Sequence, residues 1–302
     1  MIAVYGTVCL DRLRCVRALP EPGGYVEILS DDEFLGGEAV NTALALAQWG
    51  CPAKLFGNPI ARDDLRDLII SKVNYEFPSG AATTPFCDVY VTDDGDRTMF
   101  GWGFEPLAER MRGWEPDFEE AKVVTLDPNH GVAAVSLMHQ IARRGGRVYL
   151  QDVIDAADIP AGSVVQTSTD WLGVRGDAQA NREAARVLAE ASRSTVVLTD
   201  GAHGLVFAQP RVDAVNMPAY PITRVVDSTG AGDVFRAGVL QGIEAGWPVG
   251  RCLAFGAAAG ALNCLSLGAN AGIPQRDRVD QLIREHQAIT QQYDELTGTF
   301  FA

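Results

Sequence analysis

From residue 121 onward, short β-rich runs alternate with helical stretches, and this alternation limits the fold more than any other feature of the chain. Residues 123–126, 147–151, 163–167, 195–199 and 204–208 read as strands, and 131–144, 177–191, 233–245 and 250–266 as helices. Short apolar strands separated by helices pair in parallel, with both faces of the sheet covered. An α/β chain with a mostly parallel central sheet is therefore expected. Residues 1–10 add a buried strand, and 39–49 a helix stopped by Gly50. Residues 86–102 read as a hairpin about Asp93-Asp94-Gly95-Asp96, and 25–35 as an edge strand. These two segments lie outside the alternation and are expected to form a small sheet of their own. The β-run 223–227 leads into a glycine turn, and a polar helix over 276–292 precedes a weakly structured tail.

Composition removes several function classes. The 302 residues are 47% hydrophobic, enough for a sizeable core. The net charge of −14 repels phosphate backbones and anionic lipid, so no nucleic-acid and no membrane partner is expected. The opening MIAVYGTVCL lacks the basic segment of a signal peptide, and no apolar run is long enough to span a bilayer. Cys9, Cys15, Cys51, Cys87, Cys252 and Cys264 show no metal-ligand spacing and read as reduced thiols of a cytoplasmic protein. The four histidines form no cluster, so no zinc site is expected.

The chemistry concentrates in Val226-Asp227-Ser228-Thr229-Gly230-Ala231-Gly232-Asp233-Val234-Phe235. A β-run ends, small residues turn the chain, and a helix begins. The first amides of a helix have no partner and carry the positive end of its dipole, so they bind anions, and glycine lets a phosphate approach. Asp233 at that place either caps the helix or takes a proton from a hydroxyl attacking a phosphoryl group. Both readings stand on the residues alone.

The stretch DSTGAGD closely resembles the C-terminal signature of the ribokinase, or phosphofructokinase-B, family of carbohydrate kinases, D-T-x-G-A-G-D. Gly36-Gly37-Glu38-Ala39-Val40-Asn41-Thr42-Ala43 resembles the family's G-G-x-x-x-N-x-A. Asp11 after the first strand, the Gly95-Asp96-Arg97-Thr98 turn and Thr199-Asp200-Gly201-Ala202-His203-Gly204 follow in the same order, so the resemblance runs from about residue 1 to 275. It implies a single ribokinase-like domain over 1–302, a three-layer α/β/α sandwich with a small β-sheet lid built from about 12–35 and 85–103. It implies transfer of the γ-phosphate of ATP to a hydroxyl of a sugar or sugar-like molecule, with Mg²⁺ and a role for K⁺, and a homodimer formed through the lid.

Residue by residue, the resemblance makes Asp233 the base and Gly230, Ala231 and Gly232 the anion hole. Asp11, Gly36, Gly37 and Asn41 become acceptor-binding residues. Thr199, Gly201, Gly204 and Asn263 fall on the ATP side, and Asp227 with Thr229 on a monovalent-cation loop. Each has a plainer reading: Gly36-Gly37 as a turn, Asn41 as a polar helix residue, Asp11 as a loop carboxylate, Thr199 as a strand end, and the small residues of 256–262 as close helix packing. One departure stands out. Where many members carry N-x-x-E to order water on Mg²⁺, this chain reads Val165-Gln166-Thr167-Ser168-Thr169-Asp170-Trp171, and Asp170 is the substitute on offer. Two alternatives remain: a nucleoside kinase, which shares both signatures, and a catalytically weak sugar- or nucleotide-binding protein, which the departure favours and the intact GAGD opposes.

Overall fold

The computed structural model describes residues 1–80 and 82–301. In chain order the strands and helices are β1 (Ile2–Gly6), β2 (Cys9–Cys15), β3 (Ser30–Gly36), α1 (Glu38–Gln48), β4 (Ala53–Gly57), α2 (Asp63–Ile70), β5 (Asn74–Glu76), β6 (Phe86–Val91), β7 (Arg97–Trp102), α3 (Phe104–Met111), β8 (Val123–Leu126), α4 (Val132–Arg143), β9 (Val148–Gln151), β10 (Val164–Ser168), α5 (Ala178–Ser192), β11 (Thr195–Thr199), β12 (Leu205–Ala208), β13 (Val215–Met217), α6 (Ala231–Glu244), α7 (Val249–Asn263), α8 (Arg276–Glu285) and α9 (Gln287–Asp294).

The central sheet has nine strands in the order β13-β12-β11-β10-β9-β8-β1-β4-β5. From β11 to β5 every pairing is parallel, and β12 and β13 close one edge antiparallel. The parallel strands are short, apolar and β-branched, and β1, β8 and β9 are buried along their whole length. Such strands need cover on both faces. One face packs on α1, α6 and α7 through residues such as Val4, Tyr149 and Val197. The other packs on α4 and α5 through Tyr5, Leu126 and Val165. The sequence order reverses at β1, which is flanked by β4 on one side and β8 on the other. Carboxyl ends of strands at such a reversal open a crevice.

The smaller sheet has the order β3-β2-β6-β7 and a core of its own in Leu13, Val89 and Val91. β3 and the hairpin of β6 with β7, Phe86 facing Trp102, come from the segments expected outside the alternation, whereas β2 begins at Cys9, inside the stretch read as the first strand.

Several expectations need correction. Residues 1–10 are not one strand: the chain leaves the large sheet at Gly6 and enters the small one at Cys9. The apolar run is continuous across that break, so composition gives no sign of it. Residues 223–227 form no strand; the amide of Val226 donates to the Cys264 carbonyl, and the segment is a loop. The helix over 276–292 is two helices, broken at His286 (φ −116°, ψ 54°). Elements β4, α2, β5, α3 and β13 were not foreseen, being short or carrying weak periodicity. Ala302, the end of the expected tail, lies outside the described residues. Among the described residues all six cysteines are free, and no helix is long and apolar enough to cross a membrane.

Candidate active site

Helix α6 starts where sequence analysis places a helix N-terminus. Gly230 takes φ 73°, in the left-handed region that glycine favours, and sets the chain into the helix at Ala231. Gly232 and Asp233 follow in the first turn, where helix geometry supplies no partner four residues back. The turn is fastened from several sides. One oxygen of the Asp227 carboxylate accepts from the Thr229 amide at 2.8 Å and the Thr229 hydroxyl at 2.6 Å. The other accepts from the Gly268 amide at 2.9 Å. Asn263, fully buried, donates to the carbonyls of Thr229 and Ala269. Gln166 donates to the Gly232 carbonyl at 2.9 Å and accepts from the Tyr149 hydroxyl. In this structure Asp227, Thr229 and Asn263 thus serve as the frame of the turn.

Asp233 is buried, and each of its oxygens has an amide donor. Asn41 Nδ2 donates to Oδ2 at 2.8 Å across 192 residues of sequence, and Gln151 Nε2 donates to Oδ1 at 2.8 Å. This bond joins the G-G-x-x-x-N and G-A-G-D segments in one pocket. Asn41 is held in turn by Asn270, which donates to its Oδ1 at 2.7 Å. Burial raises the Asp233 carboxyl above the ordinary carboxylate range, and the Arg236 guanidinium with the two amide donors pulls it back down.

Asp11 lies on β2 against Gly36 of β3. A Cβ on Gly36 would land on the Asp11 carboxyl, so only glycine leaves room for it. Burial pushes Asp11 up to about 7, with Asp233 and Asp227 adding to the rise and the Cys9 thiol, which donates to it, opposing it. Gly37, the residue before α1, has φ 109°, and a Cβ there would collide with the Thr7 carbonyl. The plain reading of Gly36-Gly37 as a turn omits this close approach.

Four residues that sequence reasoning missed complete the pocket. Glu38, in the first turn of α1, accepts from Asn129 at 3.2 Å and Gln151 at 2.9 Å. Asp127, fully buried after β8, accepts from the Thr7 amide and hydroxyl. Asp152 follows β9 with φ 55°, a left-handed conformation rare outside glycine, and is pushed up to about 7, chiefly by burial. Gln151 ends β9 beside it. A polar residue closing an apolar parallel strand is the signal that could have found Asp127 and Gln151, because the crevice lies at those carboxyl ends.

The other half of the crevice is built differently. Thr199 ends β11 and donates to the Thr167 carbonyl at 3.1 Å. Gly201 opens the exposed turn Gly201–His203, and a Cβ on Gly204 (φ 95°) would meet the Met217 carbonyl. Asp200, buried, accepts from Thr169, Asn181 and the Gly176 amide, tying the loop after β10 to β11. Asp170 faces two cations: Arg175 donates to it at 3.0 Å and Arg97 stands 3.6 Å away. Arg175 also donates to Asp96 at 2.9 Å, and Arg97 donates to the Ser228 hydroxyl at 3.0 Å, beside the glycine turn. Among the described residues no group of three or more His, Cys, Asp or Glu side chains is placed to hold a metal ion.

Residues 1–276 match the sequence model of the pfkB family carbohydrate kinases. The chain belongs to that family. Among curated relatives, a Dictyostelium discoideum protein named an uncharacterized sugar kinase is 25% identical over 94% of this chain and 97% of its own length. A nucleoside kinase of Methanocaldococcus jannaschii is 23% identical over 95% and 97%. Among solved structures, Arabidopsis thaliana ribokinase complexed with ribose and ATP superposes with a TM-score of 0.70 at 19% identity, covering 94% of this chain and 98% of the other. The family fold is the one described above, a mostly parallel sheet between helices with a smaller sheet beside it. The chain is a sugar or nucleoside kinase.

Proposed function

We propose that this chain transfers the γ-phosphoryl group of ATP to a hydroxyl of a sugar or sugar-like molecule, with Asp233 as the base. The single observation carrying the reading is the Asp233 carboxylate, buried at the start of α6 beside the amides of the glycine turn and held by Asn41 and Gln151. The acceptor hydroxyl gives its proton to Asp233, its oxygen forms a bond to the γ-phosphorus, and the bond from that phosphorus to the bridging oxygen breaks to release ADP. The Gly232 and Asp233 amides and the dipole of α6 stabilise negative charge on the transferred group.

Asp11 and Asn41 face the acceptor, offering acceptors and a donor to vicinal hydroxyls. ATP lies on the side of Thr199, Gly201 and Gly204. ATP-dependent phosphotransfer uses Mg²⁺, which screens the phosphates. Asp170 is occupied by two arginines, and the described residues offer no dedicated metal site, so the ion is carried by the nucleotide. The Asp227 carboxylate is likewise occupied by three donors. A location in the cytoplasm, where ATP is supplied and thiols stay reduced, fits the free cysteines. A second copy covering Met99, Phe100 and Trp102, exposed on β7, would make the dimer.

The test is ATP turnover against a panel of free sugars and nucleosides, with Asp233→Asn alongside. Phosphorylated sugar from the wild type and none from the variant supports the reading. Turnover of nucleosides alone would transfer the same chemistry to that class, and absence of turnover with every acceptor would leave a binding protein.

A further inference from the structure

Arg236 has no part in the reaction written above, yet it is fully buried beside the reacting group. It follows Asp233 by three positions on α6, so the two side chains share a face of the helix. Its Nε donates to the Thr42 hydroxyl at 2.8 Å. One terminal nitrogen donates to the Glu38 carbonyl at 2.6 Å and stands 3.7 Å from Asp233 Oδ1. The other terminal nitrogen has no partner among the described residues.

Hydrogen bonding alone is a poor account of this residue. Taking a guanidinium out of water is costly, and leaving one of its nitrogens unpaired adds to the cost. An aliphatic side chain would fill the seam between α1 and α6 without either penalty. What it would not supply is positive charge behind the carboxylate. The need for that charge is visible in the neighbours. The ionisable groups facing Asp233 are Glu38 from α1, Asp11 from β2, Asp127 after β8 and Asp152 after β9, all acids. From β9 the Tyr149 phenol is tied to Gln166, and from α7 the charged residue Arg251 lies over Trp247, away from the pocket. Arg236 is the cation that stands against these acids.

We propose that Arg236 is a positioning residue for phosphoryl transfer, whose buried guanidinium keeps the Asp233 carboxylate ionised and aimed in a pocket lined by other carboxyls. Asn41 and Gln151 donate to the same carboxylate and fix its plane, but as neutral amides they cannot balance four nearby acids. Burial raises the Asp233 carboxyl, and Arg236 is the largest influence opposing that rise. The inference rests on the reading of Asp233 as the base.

The experiment compares pH profiles of kcat for the wild type, Arg236→Gln, Arg236→Lys and Asp233→Asn, with melting curves on each preparation. Arg236→Gln keeps a donor but loses the charge. Its acidic limb should move up by about one unit and its kcat at pH 7 should fall roughly tenfold, with KM for ATP unchanged. Arg236→Lys keeps the charge and loses the planar fork, and its limb should stay in the wild-type position. Equal limbs in the Gln and Lys variants, or an unmoved limb in Gln, overturns the proposal. Should Arg236→Gln fail to fold, the Lys variant decides alone: a displaced acidic limb despite the retained charge overturns the proposal, and an unmoved one supports it. Asp233→Asn separates the two readings. Full activity there removes the base itself, whereas an inactive Asp233→Asn beside an unmoved Arg236→Gln limb removes only the role of Arg236.

Discussion

The two halves of the crevice are held by different forces. Around Asp233, buried and half-buried side chains bond to one another across long stretches of sequence: Asn41 to Asp233, Gln151 to Asp233 and Glu38, Asn270 to Asn41. On the other side, buried Asp200 ties the loop after β10 to β11, and outside it lie largely exposed ion pairs, Arg175 with Asp96 and Asp170, and Arg97 with Asp170. Buried polar networks are costly to disturb, because each lost partner strands another group away from water. Exposed pairs contribute little to stability and exchange readily for other anions. On the function proposed above, the molecule therefore keeps a preformed socket for the acceptor and an outer, loosely tied rim for the nucleotide.

The strongest attempt to break this contrast is Asp233→Asn. It should lower kcat by roughly 10²–10⁴ while the protein melts near the wild-type temperature, as read by steady-state kinetics and calorimetry on one sample. A loss of folding instead would mean that the socket depends on this charge for its structure.

Gly36→Ala comes next. The new methyl group lands on the Asp11 carboxyl, and overpacking of this kind costs about 1–3 kcal/mol. The variant should melt several degrees lower and bind the acceptor more weakly. Unchanged KM and melting temperature would show that β2 and β3 move apart freely, and that the socket is not preformed.

Asp11→Asn tests the same side through pH. The folded carboxyl sits at about 7 against an unperturbed 3.8, so the folded state holds its proton more tightly than the unfolded state. Between those values the unfolded chain ionises first, and wild-type stability falls as pH rises. Asparagine has no such loss. The variant's gain in melting temperature over the wild type should grow from pH 4 to pH 7 and level off above, while its acceptor KM rises. A constant difference in melting temperature across that range would place Asp11 in contact with water.

The smallest effect belongs to the rim. Asp170→Ala should change stability by less than about 1 kcal/mol and leave the Mg²⁺ concentration for half-maximal rate unaltered. A raised Mg²⁺ requirement would return Asp170 to the metal-binding role that its place in the sequence suggests.

Much of the fold was legible because the parallel strands are short, apolar and regularly spaced from β8 to β12. Both signature segments were legible because glycines at a helix start leave a mark in the sequence. Asp127 and Gln151 carried a sign as polar residues closing apolar strands, but that they meet Glu38 and Asp152 was not legible, since nothing in a single chain says which segments will be neighbours. Arg236 did carry a local sign, a charge within the small and apolar run Val234-Phe235-Arg236-Ala237-Gly238. Helical phase put it on the face of Asp233 but could not tell whether that face was buried. Gln166 shows the opposite limit. It occupies the stretch that departs from the family motif, and its task of holding the Gly232 carbonyl is visible only with α6 in place.

The bond between Asn41 and Asp233 also orders events during synthesis. Its partners are 192 residues apart, and a contact of that span closes late, after the loop entropy between its ends has been overcome. The β1–α1–β4 portion leaves the ribosome long before α6 exists. With Asp233 as the base, a chain truncated before α6 is chemically silent, and phosphoryl transfer waits until these distant segments have met.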